Sequence, residues 1–241
     1  MSTNQPRRPA GTPAGGQWTA MSHVESEIEL LPAQPTVEQV NGNKEWWVNG
    51  KRHRTNGPAV EKPDGTREWW VDGMLHRTDG PAVERPDGGR AWWVNGKLHR
   101  TDGPAVEWPD GIHEWYKDGK RHREGGPAVE WADGTREWWV NGELHRTDGP
   151  AIEKPDGTRE WWVNSRRHRI DGPAVEYPNG TRLWYQDGAL HRESGPAIEE
   201  ADGTSEWRIK GKLHRTDGPA IERPDGTYEW WENGQKLPSP S

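Results

Sequence analysis

Residues 66–88 read TREWWVDGMLHRTDGPAVERPDG, and three turn signals divide this stretch. Asp72-Gly73 separates an aromatic run from Met74-Leu75, which is typical of a two-residue type I′ hairpin because Asp and Gly accept positive φ there. Pro86-Asp87-Gly88 favours a type I turn closed by a left-handed Gly. Asp79-Gly80-Pro81 predicts a bulge or kink in the returning strand, because Pro lacks a backbone N–H. The stretch therefore forms either two long strands or three short ones.

The same stretch recurs along the chain with a period of 23 residues and without insertion or deletion. Eight His-Arg dipeptides mark the period, and their histidines are His53, His76, His99, His122, His145, His168, His191 and His214. Nine "first tryptophans" keep the same step and are Trp46, Trp69, Trp92, Trp115, Trp138, Trp161, Trp184, Trp207 and Trp230. The array covers residues 35–237, about eight and a half copies, with degenerate half-copies at its ends.

The segments outside the array have a different composition. Residues 1–34 are rich in Pro, Gly, Ser and Thr and show no sustained hydrophobic period. They are predicted to be a disordered N-terminal arm, and residues 238–241 a disordered tail.

The charge pattern distinguishes two ways of stacking the copies. In a parallel β-helix identical positions lie about 4.8 Å apart, so eight Glu and eight Arg of the same period would form like-charge columns. Like charges placed directly opposite each other are destabilising. An antiparallel meander advances two strands per copy, roughly 10 Å, and lets each Arg face a Glu on a neighbouring strand. The predicted fold is therefore all-β, an elongated antiparallel β-meander of tandem hairpins.

Strand alternation assigns the repeated positions to faces, because adjacent residues point to opposite sides. The first tryptophans never vary within the chain, so they and the repeated histidines are predicted to be packed and structural. The next position varies, which predicts an exposed binding face. Its "second aromatics" are Trp47, Trp70, Trp93, Tyr116, Trp139, Trp162, Tyr185 and Trp231, and Arg208 takes this place in one copy. Trp108 and Trp131, at a position charged in other copies, extend the predicted binding surface.

Catalysis and metal binding are disfavoured by the repetition. A catalytic site needs unlike groups that meet once, whereas this chain offers the same few groups in every copy. Ligands of one zinc each lie about 2 Å from the metal, so histidines of copies about 10 Å apart cannot share an ion. The alternative to a metal ligand is a structural His that bonds a backbone carbonyl or a Glu of its own copy. No enzyme activity, metal or cofactor is predicted, and the repeated Arg is expected to form ion pairs with Glu.

Charge and composition also bear on partners and location. The net charge is -7 with acids and bases interspersed, which argues against nucleic acid as the main partner. There is no apolar run near the roughly 18 residues of a membrane span, and no signal-like start. Cys is absent, as is common in reducing compartments. The predicted location is the cytoplasm, with no membrane partner.

The turn-and-aromatic pattern resembles the MORN repeat, a 23-residue β-hairpin unit. The features that match are Trp70 two places before the turn at Asp72, the Asn95-Gly96-Lys97 turn, and His99. The usual Gly-x-Gly after His is replaced by Arg-Thr-Asp-Gly-Pro, so the chain resembles a divergent variant. The resemblance implies a twisted meander. MORN proteins are mostly scaffolds that hold other proteins, sometimes dimerise, and are in some cases linked to membrane lipids.

The N-terminal arm carries a second, shorter resemblance. Residues 8–18 are similar to an element that recurs in actinobacterial and phage proteins, which suggests a bacterial or phage source. No function follows from this short match.

Two functions fit the sequence. The first is a non-catalytic scaffold that binds a protein partner through an aromatic and charged face. The alternative is a module that stacks glycan or choline-like groups on the Trp and Tyr ladder, like cell-wall-binding repeats, with cation-π attraction as the physical basis.

Overall fold

The computed structural model describes residues 36–239, and these form an all-β antiparallel meander with no helix. The predicted disordered arm, Pro35 and residues 240–241 lie outside the described range. Because the described residues contain no helix, none of them forms a helix long and apolar enough to cross a membrane.

Each complete copy contributes two short strands to one main sheet of 20 strands. The first strands of the copies are Val60–Glu61, Val83–Glu84, Val106–Glu107, Val129–Glu130, Ile152–Glu153, Val175–Glu176, Ile198–Glu199 and Ile221–Glu222. The second strands are Arg67–Glu68, Arg90–Ala91, His113–Glu114, Arg136–Glu137, Arg159–Glu160, Arg182–Leu183 and Ser205–Glu206, and Tyr228–Glu232 follows at the end. Each of these main-sheet strands pairs antiparallel with the main-sheet strands before and after it. Arg67, for example, faces both Glu61 and Glu84. This is the predicted meander, with oppositely charged cross-strand neighbours.

A row of two-stranded hairpins runs beside the main sheet. Their first strands are Trp70–Val71, Trp93–Val94, Tyr116–Lys117, Trp139–Val140, Trp162–Val163, Tyr185–Gln186 and Arg208–Ile209. Their second strands are Met74–Leu75, Lys97–Leu98, Lys120–Arg121, Glu143–Leu144, Arg166–Arg167, Ala189–Leu190 and Lys212–Leu213. Adjacent hairpins are linked through the backbone, since the N–H of Gly73 donates to the carbonyl of Arg52 at 2.9 Å. A complete copy thus holds four two-residue strands, rather than the two or three expected.

The two predicted turn types occur as expected. Asp72 and Gly73 have φ of 51° and 79°, as a type I′ turn requires. In the Pro-Asp-Gly turns the Gly is left-handed, with φ of 91° at Gly65, and Asp64 Oδ1 accepts the N–H of Thr66 at 2.8 Å. The third signal does more than kink a strand. It lies in a loop of bends, residues 76–82, between the hairpin and the next main-sheet strand.

The array ends differ from its interior. The first strands, Thr36–Val40, Asn43–Val48 and Lys51–Arg52, include a register in which Val37 faces Trp46. In the next copy the equivalent Val60 faces Glu68 instead. The reason is the turn, because Asn41-Gly42 closes a two-residue type I′ hairpin where interior copies have Pro-Asp-Gly. At the other end Tyr228–Glu232 pairs with the last strand, Gln235–Leu237.

The fully buried core is a column of alanines instead of tryptophans. Ala59, Ala82, Ala105, Ala128, Ala151, Ala174, Ala197 and Ala220 all have 0% exposure. Each bridges two strands through its backbone, as when Ala59 donates to the carbonyl of Glu68 and accepts from the N–H of Trp46. A small side chain is needed where three backbone segments approach this closely. The adjacent Val or Ile column adds the remaining buried aliphatic surface.

Candidate functional site

The Arg of each His-Arg dipeptide stacks on the first tryptophan of its own copy. Its guanidinium carbon lies 3.8 to 4.0 Å from the ring centroid in all eight complete copies. In a typical copy Arg100 donates to the carbonyl of Pro104 at 3.1 Å and to Glu107 at 3.0 Å. The ion pair between this Arg and this Glu recurs in every complete copy at 2.6 to 3.6 Å. The expected ion pairs between the repeated Arg and a Glu are therefore present. We call the segment from this Arg to the following Pro, residues 100–104 in this copy, the clamp loop.

The Gly of each clamp loop leaves room for the stacked guanidinium. A Cβ at Gly103 would lie 2.9 Å from the guanidinium carbon of Arg100, and the other seven copies give 2.8 to 3.1 Å. The guanidinium is thus held between an indole ring and a Gly. The contact with the guanidinium accounts for the Gly of the Gly-Pro pair that recurs in every copy. From the sequence alone, this pair indicates only a break in the strand.

The repeated histidines link neighbouring copies. In all eight cases Nδ1 accepts the backbone N–H at the hairpin turn of the next copy, at 3.1 to 3.3 Å. The expected bond to a carbonyl or to a Glu of the same copy was wrong for this nitrogen. The ring stands beside the following hairpin, whose unpaired turn N–H needs an acceptor. Nε2 approaches a Glu of its own copy in two cases, His122 to Glu124 at 3.6 Å and His191 to Glu193 at 3.8 Å.

Consecutive clamp loops border a row of open clefts, four of which lie between residues 99 and 194. The first lies between residues 99–103 and 122–124, and the next three follow at the following copies, up to Ser194. Their volumes are about 630, 510, 490 and 570 Å³ in chain order. The same structural positions line each cleft, so the row is a repeated site of the kind that suits an extended ligand.

The cleft floors differ in chemistry. Each contains a first tryptophan, namely Trp115, Trp138, Trp161 and Trp184 in order. Two residues later in the chain, the floor has Lys117 in the first cleft and Gln186 in the last. The two central clefts have Val140 and Val163 at this position. The last cleft is therefore more polar than the other three, because Tyr116 adds apolar surface to the first.

The cleft rims carry one exposed carboxylate per clamp loop. These are Asp102, Glu124, Asp148, Asp171 and Glu193, with side chains 80 to 86% exposed. The hydrogen bond from the Arg100 guanidinium, and then its charge, lower the pKa of Asp102 below its ordinary value. Arg146 lowers the pKa of Asp148 in the same way. Both carboxyls therefore remain ionised at neutral pH.

The first tryptophans are less buried than predicted. Only Trp184 is buried, at 9% exposure, and the other eight are half-buried. The repeated Arg covers one ring face in eight of the nine, and in four copies, including that of Trp184, the ring also borders a cleft. The first tryptophans contact the Arg of the clamp loops, and four of them also line clefts. Strand alternation alone did not indicate either contact.

The second aromatics do not form the exposed row that was expected, since all eight are half-buried. Their polar atoms turn inward, as when the indole N–H of Trp139 donates to Glu137 at 2.8 Å. Arg side chains also cover several rings, including Arg121 over Trp139 at 5.3 Å. Their role in binding stays a prediction.

Trp108 and Trp131 are the more accessible members of the predicted binding set. They are 39% and 38% exposed, and each donates its indole N–H to a Glu of the main sheet at about 3 Å, Glu114 and Glu137. Tyr177 occupies the same position in a later copy and is 38% exposed, which sequence reasoning missed. These rings directly follow the first main-sheet strand of their copies, and they do not line the four clefts.

Sequence reasoning also missed the cleft row itself. One signal was available, because the residue after the repeated Arg is Thr in five of the eight complete copies but Glu124, Ile170 and Glu193 in the others. Ile170 is 79% exposed, the most exposed large apolar side chain of the described residues.

The described residues show no group of three or more His, Asp or Glu side chains arranged to hold a metal ion. No model of a known protein family matches the chain, and no curated protein matches it either. The function must therefore be argued from the cleft row and the aromatic positions themselves.

Proposed function

We propose that this chain is a non-catalytic repeat scaffold that binds a polypeptide partner along its row of clefts. The observation that carries the proposal is the recurrence of one cleft at four consecutive copies, with the same Trp, His and Arg positions at each. A row of equivalent clefts suits a ligand that is itself extended and repetitive. The exposed apolar Ile170 and the five rim carboxylates provide contacts of two kinds.

The alternative, a glycan or choline-like ligand, has less support from the same geometry. A quaternary ammonium group binds by lying over an aromatic face, but each clamped first tryptophan already has an Arg over one face. Several second aromatics also lie under Arg side chains. A cationic ligand would therefore have only the uncovered face of each of these rings, or would have to displace an Arg that holds two further partners.

Position-specific photo-crosslinking tests the proposal. The photoreactive residue p-benzoylphenylalanine is placed at position 170 in one variant and at position 228 in a control, because Ile170 and Tyr228 are both exposed, at 79% and 51%. Position 228 is in the last main-sheet segment, away from the clefts. We expect position 170 alone to form a crosslink to a discrete polypeptide in an extract of the source cells, in the presence of millimolar choline and oligosaccharides.

Two results would count against a polypeptide scaffold. Equal crosslinking from both positions would mean that the cleft row is not the contact surface. Loss of the crosslink on adding choline or a sugar, together with a saturable change in tryptophan fluorescence, would favour the stacking-ligand alternative.

A further inference from the structure

The spacing of the clefts restricts the conformation of a bound polypeptide. Each copy adds two strands to the main sheet, and neighbouring strands lie about 4.8 Å apart, so successive clefts are about 9.6 Å apart. A polyproline II segment returns to the same face every three residues, about 9.3 Å. The difference between the two repeat lengths therefore adds up to only about 0.9 Å over the three steps that separate four clefts.

Other regular conformations fit this step less well. An α-helix returns to nearly the same face after seven residues, about 10.5 Å, and drifts about 2.7 Å over three steps. A β-strand presents one face every two residues, about 6.6 Å. Its side chains therefore fail to match the cleft spacing even at the first step. The cleft spacing thus selects a segment with a three-residue period.

The charge of the rims restricts the composition. In three of the five bordering loops the single charge of the repeated Arg is shared by two carboxylates, as when Arg146 contacts both Asp148 at 2.9 Å and Glu153 at 3.1 Å. In the other two the Arg pairs with the strand Glu, while the loop Glu remains exposed beside a His. Each loop therefore has one negative charge in excess. Arg or Lys of a ligand would meet one such charge at every step.

The floors restrict what enters the clefts. Trp138 and Trp161, with Val140 and Val163, give the central clefts an aromatic and aliphatic lining. Grooves lined by aromatic side chains bind polyproline II segments well, because these segments are already extended and lose little conformational entropy. Ile170, at the border of the third and fourth clefts, adds apolar surface.

From this combination we infer that the partner is a basic, proline-rich segment in polyproline II conformation. One residue of every three enters a cleft, and Arg or Lys lies beside the rim carboxylates. The inference rests on the proposed function and names the class of partner. Four clefts accommodate about twelve residues at three per cleft.

Synthetic peptides test the inference on the full-length chain. The probe is a fluorescein-labelled 15-residue peptide of roughly five Pro-Pro-Arg triplets, chosen to span the four clefts with a margin. The control peptide has the same composition with all its Arg residues at one end. We expect fluorescence anisotropy in about 0.15 M salt to show at least tenfold tighter binding of the periodic peptide. Shorter periodic peptides should weaken progressively as fewer clefts are filled.

Matched charge variants locate the binding. The rim variant carries Asp148→Asn and Asp171→Asn, and the control variant carries Asp156→Asn and Asp202→Asn in the Pro-Asp-Gly turns. Asn is already native at both kinds of position, as Asn56 and Asn179, so both variants are expected to fold. We expect several-fold weaker binding of the periodic peptide to the rim variant and unchanged binding to the control variant.

Three outcomes would overturn the inference. These are equal affinity for the periodic and clustered peptides, equal weakening by both variants, and no binding of any peptide. If no peptide binds but crosslinking from position 170 still captures a polypeptide, the scaffold proposal stands and only the partner class is wrong.

Discussion

Two successive copies fill the same position of the main sheet in opposite ways. In one, Glu160 accepts from Arg167 at 3.0 Å and from the indole N–H of Trp162 at 3.1 Å. In the next, the equivalent residues are Leu183 and Leu190. The backbone pairing is the same, since Glu160 faces Val175 and Leu183 faces Ile198. An ion pair and an apolar pair are therefore interchangeable in this position.

The difference shows which interactions specify the fold. Both copies keep the turns, the Ala column and the Arg clamp, while the interior of the sheet changes character. The earlier Ala91 and Leu98 form a further apolar example, packed with Val83 and Val106. A buried ion pair adds little net stability over an apolar pair of similar volume, because desolvation of the charges offsets their attraction. Where the Arg position holds a Leu, as it does for Glu68, Glu137 and Glu206, the Glu is only half-buried and has other donors. The buried Glu45, Glu114 and Glu160 all keep the Arg.

The largest expected effect follows from separating the charged pair. Arg167→Leu leaves Glu160, whose side chain is 7% exposed, without its main partner. We expect a loss of about 3 kcal/mol in the free energy of unfolding, the lower end of the range for breaking a buried pair. Lys154 reduces the effect because its Nζ lies 3.8 Å from Glu160. Urea unfolding followed by circular dichroism measures the change.

The matched control converts the charged copy into the apolar one. Glu160→Leu combined with Arg167→Leu reproduces the Leu183 and Leu190 pair. This double variant is expected to range from unchanged to about 1 kcal/mol more stable than the native chain. If the double variant is as unstable as Arg167→Leu alone, the two fillings are not interchangeable and the comparison fails.

A smaller effect is expected from the indole N–H. In Trp162→Phe the hydrogen bond to the Glu160 carboxylate is lost, whereas the Nε1 of Trp93 is buried without a partner in its apolar copy. Both substitutions remove similar ring volume, so their difference isolates the hydrogen bond. We expect Trp162→Phe to be more destabilising than Trp93→Phe by about 1.5 kcal/mol, as for a bond to a charged acceptor. Equal effects in thermal unfolding would show that the bond adds nothing.

The smallest expected effect is a dependence on pH, at a second charged copy. Burial raises the pKa of Glu114, but hydrogen bonds from Trp108 and Tyr116 and the charge of Arg121 outweigh it, so the pKa lies below its ordinary value of 4.5. A carboxyl with a lowered pKa stabilises the fold above its unfolded-state pKa, and this contribution is lost as the pH falls through the folded-state value. Glu114→Leu with Arg121→Leu removes the contribution, so this variant should lose less stability than the native chain between pH 7 and pH 3. Unfolding midpoints at both pH values test this, and equal losses would contradict it.

Much of the fold followed from local sequence. The Asp72-Gly73 and Pro86-Asp87-Gly88 signals predicted both turns, because positive φ is a requirement of the backbone itself. The strict period and the charge columns predicted an antiparallel meander, since like charges cannot stack about 4.8 Å apart without cost. The same argument predicted Arg and Glu pairs across neighbouring strands, but the repeated Arg lies in a loop and pairs with a Glu of its own copy.

Burial and the candidate site were decided by tertiary structure. Alternation could not show that Ala59 and its equivalents are the fully buried column, or that the guanidinium of Arg54 covers Trp46, because both depend on the loop folding back over the strand. The clefts exist only between clamp loops of successive copies, so no single copy contains one. The sequence determined the repeating unit through its turns and charges, and the stacking of units determined which side chains are buried and which surfaces remain open for a partner.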